Sequence, residues 1–251
     1  MARNFKLTLA YDGFGFHGWQ IQPGKPTIQG MLAECIERIT GEKLLPQGSG
    51  RTDAGVHALA QVASFSTNSP IPAANLKIAL NDILPATIRV IGVEEVLADF
   101  HPRKSAKAKT YRYRIYRADV CPPFLARYVY HHPYPVNETA MQSAAGVVVG
   151  EHDFTSFAAV DPERGREYDE PSNVRRIDSS AWLREGDEFI YTVRGNGFLH
   201  HMVRNLVGTF LLVGKGSLTA DDVRRILEAR DRSAAGATAP ASGLYLVSVE
   251  Y

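Results

Sequence analysis

The sequence has little cysteine and no long apolar run. Its 251 residues include only two cysteines, Cys35 and Cys121, and no Cys-x-x-Cys or His-Glu-x-x-His pattern. The usual zinc spacings are therefore missing, and we expect two reduced thiols in a reducing compartment and no metal site. No apolar stretch reaches the roughly 18 residues that a membrane-spanning helix needs, and the amino terminus shows no secretory signal. These features predict a cytoplasmic protein without a membrane partner.

The chain also lacks a strong net charge, although its charges are unevenly distributed. The formal net charge is only +1, whereas proteins that contact phosphates need local excesses of Lys and Arg. Residues 103–117 carry basic charges and no acidic one, while residues 151–170 are rich in acidic side chains. This pattern predicts a basic face that suits contact with nucleic-acid phosphates, and its candidate contact residues are Arg103, Lys104, Lys107, Lys109, Arg112 and Arg114.

Strand and helix patterns mix along the chain without strict alternation, which favours an α+β protein with largely antiparallel, mixed sheets. We expect two similar α/β subdomains side by side, residues 1–104 and 105–251, with helices packed on the sheets and an active-site cleft between them. The charged residues 160–173 lack periodicity and predict a long exposed loop. Periodicity predicts strands over 5–11, 61–66, 87–96, 109–116, 174–183, 189–194 and 244–249, and helices over 27–40, 73–83, 137–149, 199–213 and from Thr219 onward.

Residues 48–58 form the most informative segment, because they combine glycines with small polar and charged side chains. No Lys-Ser or Lys-Thr follows the glycines, which argues against a nucleotide-binding P-loop and against nucleotide hydrolysis. Arg51 and Asp53 lie two residues apart in this predicted loop. They fit either a local ion pair that stabilises a turn or a reactive carboxylate on a glycine-supported loop.

The predicted helix 199–213 is apolar on nearly all sides, which indicates burial, yet it carries Arg204. A buried guanidinium needs a carboxylate partner, and the helix supplies none. Asp53 is one candidate, and an acidic residue elsewhere is the alternative. A carboxylate beside an arginine stays ionised at neutral pH, as a nucleophile must.

The predicted strand 109–116 alternates aromatic and basic side chains. Tyr111 and Tyr113 should lie on one face, with Arg112 and Arg114 on the other. Aromatic and basic side chains together suit a flipped or single-stranded base, which stacks on the ring while cations hold its phosphates. Alternating tyrosines are also typical of ordinary core packing.

In the segments that contain Asp53, Tyr111 and Arg204, the sequence resembles the tRNA pseudouridine synthase A family. Residues 50–58 read Gly-Arg-Thr-Asp-Ala-Gly-Val-His-Ala, which is similar to the family's signature loop. The resemblance extends, in order, over nearly the whole chain. The other matching segments are Tyr11–Gly13, Gly18–Gln20, Thr27–Gly30, Leu84–Pro85, Phe100–Arg103, Lys109–Tyr111, His152–Phe154, Phe198–Arg204 and Ser242–Leu244.

The resemblance implies a role for five side chains. Asp53 is the expected catalytic aspartate, Tyr111 the ring that stacks on the target uracil, and Arg204 the partner of Asp53. Arg51 is expected to help extrude the uridine and occupy its place, and Leu244 to line the base pocket. The resemblance also implies a homodimer in which both subunits contact tRNA, action on uridines 38 to 40 of the anticodon stem-loop, and no metal or organic cofactor.

The implied reaction breaks the N1–C1′ bond of uridine, turns the uracil and joins C5 to C1′. The base must leave the stack to be reached, so base flipping is expected. Asp53 could attack ribose C1′, attack uracil C6 or remove a sugar proton. Two other functions fit the same sequence, namely a non-catalytic RNA-binding protein on this fold and a pseudouridine synthase with a different RNA target.

Overall fold

In the computed structural model, residues 2–160 and 172–251 are described. They form a mixed α+β fold with mostly antiparallel pairing, which confirms the predicted fold class. The α-helices are α1 (Ile28–Thr40), α2 (Ala73–Ile83), α3 (Glu138–Val147), α4 (Met202–Gly214) and α5 (Ala220–Ala229). The strands are β1 (Arg3–Tyr11), β2 (Gln47–Gly48), β3 (His57–Thr67), β4 (Ile88–Val96), β5 (Ala108–Tyr116), β6 (Tyr130–His131), β7 (Gly150–Asp153), β8 (Val174–Glu185), β9 (Glu188–Gly195) and β10 (Leu244–Glu250).

Two compact units divide the chain. The first comprises Met1–Lys109 and Tyr245–Tyr251, and the second comprises Thr110–Leu244. The boundary therefore differs from the predicted one, which placed residues 245–251 in the carboxy-terminal half. Tyr245 and Leu246 pair in parallel with His57 and Ala58 of β3. This pairing joins segments far apart in sequence, so neither periodicity nor turn residues could reveal it.

In the first unit, the strands follow the order β4-β1-β3-β10, and β2 pairs with β3. Strand β1 runs antiparallel to both of its neighbours. Helices α1 and α2 contact each other, and α2 packs on β4. The first unit thus has a central strand, β1, whose inward side chains Phe5, Leu7 and Leu9 are fully buried.

Helix α1 follows its sequence pattern closely. The Thr27 side chain accepts a hydrogen bond from the Gly30 N–H, and Gly41 ends the helix in the left-handed region at φ 75°. The apolar stripe of Ile28, Leu32 and Ile36 is buried. Capping and periodicity together therefore place this helix correctly from sequence.

In the second unit, the strands follow the order β5-β9-β8-β7, and β6 pairs in parallel with β5. Helix α3 contacts α4, α5 and β8. Helix α5 begins with a capping box, in which the Thr219 and Asp222 side chains bond each other's backbone N–H groups. The predicted start of this helix at Thr219 is confirmed.

Three sequence predictions differ from the observed elements. Strand β3 is longer than the predicted 61–66, and β2 lies inside the predicted loop, because both gain partners distant in sequence. Helix α4 begins at Met202 and not at Leu199, since His201 adopts a left-handed φ of 59°. The predicted loop over 160–173 falls largely outside the described residues.

Cys35 and Cys121 are both free, and Cys35 is buried. Among the described helices, none is long and apolar enough to cross a membrane.

Candidate active site

Asp53 lies on a loop, residues 49–56, that connects β2 with β3. The N–H of Ser49 donates to the Val62 carbonyl at 2.7 Å, which fixes the start of the loop to β3. Near its end, the N–H of Val56 donates to the Asp53 carbonyl at 3.1 Å, and Gly55 adopts a φ of 77°. Asp53 is half-buried at this turn. We call residues 49–56 the Asp53 loop.

The Asp53 loop packs against the turn that follows β1. The N–H of Trp19 donates to the Thr52 carbonyl at 2.9 Å, and the N–H of Gly55 donates to the Phe16 carbonyl at 3.3 Å. Gly18 has a φ of +85°, and a Cβ there would lie 2.5 Å from the Thr52 oxygen. Glycine at this position allows both the left-handed backbone and the close approach of the two loops.

A buried pair of hydroxyl groups joins the loop to β1. Tyr11 and Thr52 share a hydrogen bond of 2.8 Å. Burial raises the pKa of Tyr11 to about 12, although hydrogen bonds with Thr52 and Gln61 act in the opposite direction. The tyrosine hydroxyl therefore stays protonated at neutral pH and remains part of this hydrogen bond.

Buried polar side chains fix the start of the loop. The Ser49 hydroxyl donates to Gln61 Oε1 at 2.6 Å, and Gln61 Nε2 donates to the Gly50 carbonyl at 2.9 Å. Lys109, at the start of β5, donates from Nζ to the Ser49 carbonyl at 2.5 Å. Lys109 was predicted as an RNA contact, and the structure places its ammonium group on the Asp53 loop.

At the other end of the loop, His57 contacts the turn after β1. The N–H of Gly13 donates to His57 Nδ1 at 3.1 Å, and Asp12 Oδ1 lies 3.2 Å from the same nitrogen. The His57 ring stacks on Tyr245 with centroids 4.8 Å apart. Sequence reasoning gave no role to Asp12 or His57, although both lie in matching family segments.

Arg204 lies in the first turn of α4 and is half-buried. Its Nε donates to the Ala239 carbonyl at 2.8 Å, and the N–H of Ala239 donates back to the Arg204 carbonyl at 3.1 Å. Helix α4 is otherwise almost entirely buried, as its composition predicted. A backbone carbonyl from residues 232–240, which sequence reasoning did not identify, thus orients the guanidinium group.

Residues 232–240, the 232–240 segment, lie along α4 and contact it closely. Asn205 Oδ1 accepts from Thr238 Oγ1 at 2.7 Å and from Arg232 at 3.0 Å, while its Nδ2 donates to the Phe157 carbonyl at 2.7 Å. A Cβ on Gly208 would lie 1.8 Å from the Ala237 oxygen. The glycine is therefore required by the contact between helix and segment.

The aromatic face of β5 is buried, which confirms the predicted alternation along this strand. Tyr111 packs edge-on against Phe198, with centroids 4.9 Å apart and planes at 74°. Tyr113 donates to the Pro240 carbonyl at 2.7 Å, and burial raises its pKa well above the usual value. Leu244, at the start of β10, is also buried.

The predicted basic face is not uniform. Arg103, Lys104 and Lys107 are exposed, whereas Arg112 is half-buried. Arg114 forms a bidentate pair with Glu188, at 2.7 and 2.5 Å, so much of its charge is neutralised locally. The exposed lysines and arginine before β5 therefore remain the stronger candidates for phosphate contact.

The predicted site residues are divided between the two units. The first unit carries Asp53 and Arg51, both half-buried on the same loop. The second unit carries Tyr111, Arg204 and Leu244. The first unit thus offers a carboxylate on a supported loop, and the second offers a buried aromatic ring and a guanidinium group that is oriented by the Ala239 carbonyl.

Comparison with known proteins identifies the family. The sequence model of the family described as tRNA pseudouridine synthase matches residues 8–121 and 144–251. The tRNA pseudouridine synthase A of Solibacter usitatus is 54% identical over 249 residues, covering 99% of this chain and 100% of that protein. The enzyme of the same name from Halalkalibacterium halodurans is 47% identical over 239 residues, covering 95% of this chain and 89% of that protein.

A third relative, the tRNA pseudouridine synthase A of Caldicellulosiruptor saccharolyticus, is 45% identical and covers 99% of this chain and 100% of its own length. These matches confirm the resemblance carried by the Asp53 loop and the segments around it. They also confirm that the chain is an enzyme of the isomerase class. The chain belongs to the tRNA pseudouridine synthase family.

Proposed function

We propose that this enzyme converts uridine to pseudouridine at positions 38, 39 and 40 of the tRNA anticodon stem-loop, with Asp53 as the nucleophile. The main support is the construction of the Asp53 loop. Its family-type sequence is held at both ends and along its length by buried hydrogen bonds, so the carboxylate has a defined position. A firmly positioned reactive group is what nucleophilic catalysis requires.

The reaction is balanced without an oxidant, a reductant or a donated group. The N1–C1′ bond of uridine breaks and a C5–C1′ bond forms. The hydrogen on C5 leaves as a proton, and N1 gains a proton. Because only bonds within one nucleotide change, the reaction needs no second substrate. Asp53 supplies the nucleophile, and hydrogen-bond donors near the uracil would stabilise the negative charge on the detached base.

The target base has to leave the helical stack before Asp53 can act on its nucleotide. Flipping a base costs about a few kcal/mol, which contacts in the pocket must offset. In the proposed complex, Tyr111 stacks on the flipped uracil and Leu244 lines the pocket. Arg51, two residues before Asp53, helps extrude the uridine and occupies its place.

Arg204 is the proposed ion-pair partner of Asp53. Its Nε is engaged by the Ala239 carbonyl, which sets the plane of the guanidinium group. A guanidinium group beside the carboxylate would keep Asp53 ionised at neutral pH. This pairing links the position of the nucleophile to the buried helix α4.

Binding of tRNA is assigned to the basic residues and to a homodimer in which both subunits contact the RNA. Arg103, Lys104 and Lys107 are exposed and precede β5 directly. Their charges would neutralise phosphates, so affinity should fall steeply with salt. Light scattering of the purified protein tests the dimer, and a monomer that remains fully active would contradict it.

The proposed function is tested with unmodified tRNA that carries tritium at uracil C5. Formation of the C5–C1′ bond expels this hydrogen, so the label reaches water only if C5 reacts. Wild type and Asp53→Asn are compared without added metal or nucleotide. A panel of tRNAs that keep uridine at only one of positions 38, 39 and 40 then maps the target.

Release by wild type at all three positions, and none by Asp53→Asn, is the expected result. Release from other uridines only would assign the enzyme to a different RNA target. Absence of release from every tRNA, with binding retained, would favour the non-catalytic RNA-binding function.

A further inference from the structure

The ammonium group of Lys109 lies against the Asp53 loop. Its Nζ is 2.5 Å from the Ser49 carbonyl oxygen, and the residue is half-buried at the start of β5. Lysines that contact phosphates in RNA extend their ammonium groups into solvent, as the exposed Lys104 and Lys107 can. The Lys109 side chain instead satisfies a backbone acceptor of the loop.

Gly50 provides the space that this ammonium group occupies. A Cβ at Gly50 would lie 3.0 Å from Lys109 Nζ and 4.0 Å from its Cε. Apart from Gly50 and its two chain neighbours, the described residues place no backbone atom within 4 Å of that position. Gly50 also lacks the positive φ that would by itself require glycine. Space for the lysine is therefore the physical reason that the structure gives for glycine at this position.

The carbonyl that Lys109 contacts belongs to a rigid part of the loop. Ser49 is fully buried, and its N–H and hydroxyl bond to Val62 and Gln61. Gln61 is also fully buried and holds the Gly50 carbonyl. Lys109 thus completes a set of hydrogen bonds that fixes the chain only a few residues before Asp53.

The position of Lys109 in β5 gives this contact a second consequence. Lys109 and Tyr111 are two residues apart in the strand, so their side chains leave the same face, roughly 7 Å apart. Tyr111 is the residue assigned to stacking on the uracil. The residue that contacts the Asp53 loop is therefore followed closely along the strand by the residue assigned to stacking.

We infer that Lys109 is a positioning residue that holds the Asp53 loop through the Ser49 carbonyl and does not act as a ligand of an RNA phosphate. The catalytic part of this inference rests on the proposed function, whereas the contact with the loop does not. Loss of the ammonium group should therefore lower the rate of the bound complex and leave tRNA affinity unchanged.

Hydrogen exchange of the free protein tests the structural part without any substrate. The reporters are the amide groups of residues 49–56, three of which are hydrogen-bonded within the loop or to its supports. Lys109→Met should speed exchange there, while Lys107→Met, which removes a nearby exposed charge, should not. Equal exchange in wild type and Lys109→Met would overturn the inference, whether or not the protein is active.

Kinetics of tritium release test the catalytic part. Lys109→Met should lower kcat by about tenfold or more, because a misplaced nucleophile reacts slowly. Its tRNA Kd, and the salt dependence of that Kd, should stay at the wild-type values. Lys109→Arg, which retains a long cationic donor, should recover part of kcat. A raised Kd with a salt slope reduced by about one and an unchanged kcat would identify a phosphate contact instead.

Gly50→Ala provides an independent variant that leaves the lysine in place. Its new methyl group would lie 3.0 Å from Lys109 Nζ, so the ammonium group should shift by a few tenths of an ångström and reproduce part of the effects of Lys109→Met. In the Lys109→Met background the same methyl group meets no ammonium, so its additional effect on kcat should be small. Additive effects of the two substitutions would overturn the inference. If wild type releases no tritium, the proposed function is wrong. Hydrogen exchange of residues 49–56 would then still show whether Lys109 holds the Asp53 loop.

Discussion

The loop that carries Asp53 and the helix that carries Arg204 are held in place in different ways. Asp53 lies on irregular backbone, so other loops, buried hydroxyls and Lys109 must fix its position. Arg204 lies on a buried helix, whose own backbone already fixes the Cα position. Only the direction of its guanidinium group depends on a separate contact, to Ala239.

Because of this difference, we expect substitutions in the two regions to affect activity and stability to different degrees. A half-buried loop side chain can be replaced without disturbing the core, whereas α4 is part of the core of the second unit and the 232–240 segment packs on it through the buried Gly236 and Ala239. Substitutions in the loop should therefore change activity more than stability. Substitutions along α4 should change both.

The largest expected effect is that of Asp53→Asn. Removing a nucleophile lowers kcat by on the order of 10⁴-fold or more, while thermal stability and tRNA binding should stay close to wild type. Arg204→Ala should instead lower both activity and stability, because Ala239 loses its donor and Asp53 its proposed partner. Tritium release, tRNA binding and thermal unfolding distinguish the two variants. Loss of binding by folded Asp53→Asn, or unchanged stability of Arg204→Ala, would contradict the comparison.

The next largest effect is expected at the glycines that allow close approach in each region. In Gly208→Ala, the new Cβ must displace the Ala237 carbonyl, so unfolding should become easier by roughly 3 kcal/mol. Gly18→Ala should cost about 1–2 kcal/mol for its left-handed backbone and also move the Asp53 loop. At Gly146, in α3, no atom of the described residues outside its chain neighbours and the adjacent backbone of its own helix lies within 4 Å of the Cβ position. Gly146→Ala should therefore be neutral or stabilise slightly, and a loss of stability there would undermine the comparison.

Asn205→Leu tests whether the contact between α4 and the 232–240 segment is independent of the Asp53 loop. The substitution leaves the Phe157 carbonyl and the Thr238 hydroxyl without their Asn205 bonds, which should cost about 2–3 kcal/mol. Hydrogen exchange should rise in the 232–240 segment and stay unchanged in the Asp53 loop. Chemical denaturation measures the cost, and Arg232→Lys serves as a milder change in the same network. Faster exchange in the Asp53 loop as well would show that the two regions are not supported independently.

The smallest effect is expected for the hydroxyl pair beneath the Asp53 loop. Thr52→Val leaves the buried Tyr11 hydroxyl without this partner, at a cost of about 1–2 kcal/mol. Tyr11→Phe in addition should recover part of that cost, since neither member of the pair is then left alone. Denaturant unfolding of the two single variants and the double variant measures the coupling. Purely additive losses would show that this hydrogen bond contributes little.

Much of the fold was predictable because its signals are local. Helix α1 shows a Thr cap, an apolar stripe and a Gly stop within a short stretch, and each acts through neighbouring backbone groups. Helix α2 ends at Ile83, directly before the Leu84-Pro85 pair, and α5 begins with a capping box, so these boundaries are also set by neighbouring residues. The extents of β2 and β3 were less predictable, since they depend on pairing partners elsewhere in the chain. The start of α4 was missed because His201 adopts a left-handed backbone, which its residue type does not indicate.

For the candidate site, the resemblance predicts Asp53, Tyr111 and Arg204, because their segments have a distinctive order of residue types, and their roles stay predictions. It gave no function to Lys109 beyond a basic charge, because composition does not reveal which acceptor an ammonium group meets. Arg114 likewise fitted an RNA contact in sequence, while its bidentate pair with Glu188 depends on the adjacent strand β9.

The sequence by itself determined the family and the α+β class, and it predicts Asp53 as the reactive carboxylate, since these depend on residue type and order. Only the tertiary structure shows which contacts hold the Arg204 side chain, the Asp53 loop and strand β10 in place. Ala239 orients Arg204, Lys109 holds Ser49, and β10 joins the first unit through β3. Each of these contacts joins segments distant in sequence, and a hydrogen bond or close backbone approach depends on distance in space, which a linear pattern does not contain.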